Sequence, residues 1–135
     1  MKYSDCTTRC TGDVVKGDII LFTESVFGGS FRKPVHLGER KILAEVMQES
    51  YGAGKQQHTF TLRLIRCTGF DASEVRKKAK KNGTLRRKGR NIYRNGTLRA
   101  PRDQEERAAC LREKHERGAK ARAEREARRN AHYAY

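Results

Sequence analysis

The large aliphatic and aromatic side chains of this chain are concentrated before residue 71, in short runs whose alternation has the period of β-strands. From Asp18, the run Ile19-Ile20-Leu21-Phe22-Thr23 follows the turn dipeptide Lys16-Gly17 and reads as a buried strand. Residues 24–39 pass through Gly28-Gly29-Ser30, Pro34 and Gly38 and read as a loop. Arg40 to Ser50 then puts Ile42, Ala44, Val46 and Gln48 on one face and Lys41, Leu43, Glu45, Met47 and Glu49 on the other. Gly52-Ala53-Gly54 supplies a turn. From Gln57 to Cys67 the alternation resumes, with Phe60, Leu62 and Leu64 opposite Thr59, Thr61, Arg63 and Ile65. Residues 40–67 therefore make a long hairpin.

Three such runs with glycine turns suit a small antiparallel β-barrel over residues 1–70, SH3-like or OB-like, because closure removes unpaired strand edges. The Lys16-Gly17-Asp18 step into an apolar strand is similar to that of SH3-like and KOW-type barrels. No run approaches the roughly 20 apolar residues that cross a bilayer, and no apolar segment follows Met1-Lys2-Tyr3-Ser4-Asp5. A cytoplasmic protein with no membrane partner is expected. Its cysteines, Cys6, Cys10, Cys67 and Cys110, then read as thiols rather than as a disulfide frame.

Charge divides the 135 residues further. The net charge of +15 is spread as +3 over residues 1–70, +9 over 71–100 and +3 over 101–135, so the excess is focused on about thirty central residues. A field of one sign attracts polyanions before any specific contact forms. A solvated basic linker and a localisation cluster share this composition. Within the segment Asn82-Gly83-Thr84-Leu85-Arg86 recurs as Asn95-Gly96-Thr97-Leu98-Arg99. Asn-Gly is a strong hairpin signal, so Asn91–Arg94 and Thr97–Arg99 read as the arms of a basic β-hairpin within an arm at 71–100. The earlier Asn82-Gly83 reads as a second turn or as the end of a helix starting near Ser73.

After Pro101, residues 101–135 form a charged helical tail rich in Ala, Glu, Arg and Lys. Asp103 with Arg107, Glu113 with Arg117, Glu116 with Lys120 and Glu124 with Arg128 are spaced as i,i+4 pairs. Leu111 is the only large aliphatic side chain in 102–129, so the long α-helix should project from the barrel and order on a partner.

A zinc site would need Cys6 and Cys10 to be joined by two of Cys67, Cys110, His58 and His115, and the lone Cys-x3-Cys spacing does not compel that. Cys67 is more simply a buried hydrophobe and His58 a sheet histidine. No phosphate-cradling loop occurs, and Glu45 and Glu49 are too far apart on one strand to share a catalytic site. The expectation is no enzyme, no metal and no cofactor. Nucleic-acid binding has the most support. Lys77, Lys78, Lys80 and Lys81 lead into Arg86, Arg87, Lys88, Arg90, Arg94 and Arg99, interleaved with Asn91, Tyr93 and Asn95. These supply phosphate donors, amides for base edges and a ring for stacking. No motif reads a sequence, so shape and charge dominate and RNA is favoured over DNA. The competing reading is a small phage-type regulator that docks on a polymerase, ribosome or nuclease. A structural component of a ribonucleoprotein, gripping a larger complex through the helix, is a third.

Overall fold

The computed structural model describes residues 1–51 and 58–133. A single 3-10 turn at Tyr3–Asp5 leads into β1 (Thr8–Cys10), β2 (Ile19–Gly29), β3 (Pro34–Tyr51) and β4 (His58–Gly69). Then follow α1 (Ala72–Asn82), β5 (Leu85–Lys88), α2 (Gly89–Tyr93), β6 (Thr97–Arg99) and α3 (Gln104–Tyr133). The strands form one antiparallel sheet in the order β1-β6-β2-β3-β4-β5. The expected hairpin at 40–67 is the β3–β4 pair, in register from Arg40 opposite Gly69 to Tyr51 opposite His58. The turn assigned to Gly52-Ala53-Gly54, the strand start at Gln57 and the side chain of His58 lie outside the described residues.

Alternation places the core where the pattern predicts. Ile20, Phe22, Ile42, Ala44, Val46, Phe60 and Leu62 are fully buried in one cluster, closed by Val75 of α1 and Ile92 of α2. The other face is partly covered too. Leu43, predicted to lie on the polar side, is fully buried with Cys6 and Ala100, and Tyr3, Ile19, Leu21 and Ile65 pack on them.

Four expectations need correction. Residues 24–39 are not a loop: β2 and β3 continue as a ribbon with a bulge between Val26 and Phe27, leaving only residues 30–33 as the connection. Gly28 pairs with Val35 in this ladder, and its lack of a side chain leaves room for Leu37, whose Cδ1 would lie within 2.8 Å of a Cβ there.

The barrel is not closed. β1 and β5 are the two edges of the ladder, and β5 and β6, neighbours in the chain, do not pair. Residues 89–93 turn helical and bury Ile92, so α2 spans that gap.

The basic hairpin arm does not form either. Both Asn-Gly steps stop helices: Gly83 and Gly96 adopt left-handed φ of 76° and 86°, and the Gly96 N–H donates to the Tyr93 carbonyl at 3.1 Å. Positive φ serves a helix end as well as a type I′ turn, and the echo encodes a helix end followed by a strand, α1 to β5 and α2 to β6.

Lastly, the first half of α3 does not project. Arg107, Lys114 and Gly118 are buried against the domain, and the helix is held there by charge rather than by an apolar stripe. Arg107 donates from Nε to Asp18 Oδ1 at 3.0 Å and from Nη2 to the Asp13 carbonyl at 2.8 Å. Arg102, just before the helix, donates to the same Asp18 oxygen at 3.1 Å. One turn and more beyond, Lys114 Nζ donates to the Val14 carbonyl at 2.7 Å and lies 3.4 Å from Glu49 Oε2, while Arg117 reaches Glu49 Oε1 at 3.2 Å. Arg107 and Arg117 are thus drawn away from the intrahelical partners their spacing suggested. Asp103 instead caps the helix, accepting from the Glu106 N–H at 3.0 Å.

Candidate nucleic-acid interface

Helical periodicity sets the lysines of α1. Ala72, Val75 and Ala79 face the sheet, so Lys77 and Lys81, one turn apart, point directly away from it with Lys78 and Lys80 on the flanks. All four are exposed, and Lys77 is 3.5 Å from Glu74. The stripe offers mobile ammonium groups suited to phosphates at no fixed register.

The strand period sets the next group. On β5, Arg86 and Lys88 are exposed while Leu85 is buried, and Arg90 and Arg94 are exposed on and just after α2. Among the described residues, Lys78, Lys80, Lys81, Arg86, Lys88, Arg90 and Arg94 have no carboxylate within ion-pair distance. Arg87 is different. Its Nε donates to Glu24 Oε1, and the other oxygen of that carboxylate accepts from Arg40 Nε at 2.8 Å. Glu24 thereby ties β2 to β5 across a sheet whose ladder leaves them three strands apart.

That ion-pair cluster forms the floor of a cleft of about 300 Å³, lined by Glu24, Ser25, Val26, Phe27, Arg40, Arg87, Asn91, Arg94 and Asn95. Three guanidinium groups face one carboxylate, which leaves the cleft with two positive charges in excess. Asn95 is positioned by donating to the Thr23 carbonyl at 3.0 Å. The structure so brings Arg87, Asn91 and Arg94 together, beside the exposed cations of β5 and α2. Arg99 is separated from them: it lies in β6 between Thr8 and Ile20 and lines a different cleft with Arg102 and Arg107. Tyr93 is placed in the core. Its ring packs on the main cluster, its hydroxyl accepts from the Val14 N–H at 3.0 Å, and burial holds the phenol well above its ordinary pKa.

Sequence reasoning missed Glu24, Arg40 and Phe27, whereas Asn95, named there as an amide for base edges, does line the cleft. All three fall in or beside the segment read as a loop, because the polar run Thr23-Glu24-Ser25 ends the apolar run Ile19-Ile20-Leu21-Phe22. Cys6 and Cys10 belong to the two different cores, so they do not converge. Burial pushes the thiols of Cys6 and Cys67 up, and burial with the Asp13 and Asp18 carboxylates pushes Cys10 up to about 11. Among the described residues, no three His, Cys, Asp or Glu side chains group as a metal site would need, and no helix is long and apolar enough to cross a membrane.

A family model described as a domain of unknown function, DUF7699, matches residues 10–101, from the end of β1 to just past β6. The chain belongs to the DUF7699 family. The match takes in every strand after β1, both short helices and the whole cleft. The DUF7699 chain is also similar to zinc finger CCCH domain-containing protein 62 of Oryza sativa subsp. japonica, 38% identical over 136 residues. That alignment covers 95% of this chain and 18% of the rice protein, so the chain spans under a fifth of the relative's length. No solved structure matches it.

Proposed function

We propose that this DUF7699 chain is a non-catalytic nucleic-acid-binding module that grips its ligand largely without regard to sequence, with RNA favoured over DNA. The observation that carries the reading is the row of exposed cations on β5 and α2, Arg86, Lys88, Arg90 and Arg94, without carboxylate partners and next to a cleft of net positive charge. Releasing counterions from a phosphate backbone rewards such a row whatever the base sequence. Arginine outnumbers lysine there, which suits bidentate phosphate contacts and stacking on bases. The rice relative is by its name a CCCH zinc-finger domain-containing protein.

The test is a charge reversal that spares the fold. Arg87 is unsuitable because it is tied to Glu24, so the variant is Lys88→Glu with Arg90→Glu and Arg94→Glu, all exposed. Fluorescence anisotropy with labelled single-stranded RNA is expected to show affinity reduced at least about 100-fold at moderate salt. Equal affinity of variant and wild type would contradict the proposal. A second reading, docking on a protein complex, is favoured by α3 beyond Gly118, where most side chains are exposed and charged. Retention of a partner in a nuclease-treated pull-down would support it.

A further inference from the structure

The β2–β3 ribbon ends in an apolar tip that, among the described residues, is left largely exposed, with the Phe27 ring meeting His36 edge-on. Phe31, in the connection, is fully exposed, and Phe27, on the rim of the cleft, is 53% exposed. A solvated phenylalanine gains nothing from water, and two on one short ribbon mark a contact surface. Their neighbours indicate what covers them. Arg32 and Lys33 follow Phe31 directly and are exposed, and Phe27 shares its cleft with Arg87 and Arg94. Three residues lie between Phe27 and Phe31, so their Cα atoms are at most about 14 Å apart along extended chain. Two flat rings flanked by cations, in continuity with a positive cleft, match the faces and phosphates of an unpaired strand, whose bases are free to stack; a duplex hides them.

We infer that the ribbon tip is a stacking platform for single-stranded nucleic acid, with Phe27 and Phe31 taking bases and the cleft arginines taking the adjoining phosphates. The inference rests on the proposed function and adds to it the site and the strandedness of the ligand. Both rings are outside the core, so Phe31→Ala and Phe27→Ala keep the fold.

The experiment measures binding of the full chain to three labelled probes of equal length: a single-stranded oligonucleotide, its duplex, and an abasic strand that keeps the phosphates without the bases. Wild type should prefer the single strand to the other two by roughly tenfold or more, and each alanine variant should lose about that factor on the single strand alone. If wild type binds none of the probes, the proposed function falls and this inference with it. If wild type binds all three alike and the variants match it, the stacking platform is overturned while phosphate binding stands. If the variants instead lose binding to phosphatidylserine vesicles and bind the single strand as wild type does, the tip is a membrane anchor and the inference is wrong.

Discussion

Asp18 is fully buried, and everything around its carboxylate is arranged to receive it: the Val15 N–H at 3.1 Å, Arg102 at 3.1 Å and Arg107 at 3.0 Å. Removing one partner of a buried pair leaves an uncompensated charge, which costs more than the pair contributes. Asp18→Asn is therefore expected to lower unfolding free energy by about 3 kcal/mol and to strip amide protection from the first half of α3. Glu49→Gln, which weakens the ion pairs with Lys114 and Arg117, should do the same more mildly. Unchanged stability and unchanged exchange in both variants would show that charge does not hold the helix.

Cys10 gives a second prediction at this scale. Its thiol is raised from 9.0 to about 11 by burial and by the Asp13 and Asp18 carboxylates. The folded chain then holds that proton more tightly than the unfolded chain. Its contribution to stability is complete below about pH 9 and is lost as pH rises through 11, an effect of about 2 kcal/mol. Denaturant midpoints at the two ends of that window should fall less for Cys10→Ala than for wild type. An identical fall in the two proteins would contradict this.

At the scale of elements, alternation in Arg40–Ser50 and in Thr59–Cys67 was enough to place β3, β4 and the main core, because one buried face imposes period two. Two signals misled for physical reasons. The Asn-Gly dipeptides reported a left-handed glycine, a conformation that helix ends and hairpins both need; burial of Ile92 decided for a helix. In α3 the search for an apolar stripe overlooked that Arg107 and Lys114, seven residues apart, present two cations on one face, and that Asp18, just before β2, and Glu49, on β3, lie buried to meet them. Only the fold brings those partners together. The cleft was legible in part. Arg87, Asn91 and Arg94 were named from the basic segment, whereas Glu24 and Arg40, which anchor one of them, lie in strands contributed by the first half of the chain.

At the scale of the whole molecule, three carboxylates are withdrawn from the surface into ion pairs. Asp18, Glu24 and Glu49 are consumed inside, each by two cations. Apart from Arg87, the cations of α1, β5 and α2 are exposed, so this part of the surface carries a positive field. The central claim is that this field is spent on phosphates, and the most direct measurement is the dependence of single-strand affinity on salt. If about half of the seven exposed cations without carboxylate partners engage phosphates, together with cleft arginines, the logarithm of the association constant falls against the logarithm of salt concentration with a slope of about −3 to −5. A slope near zero, at whatever affinity, would contradict the account.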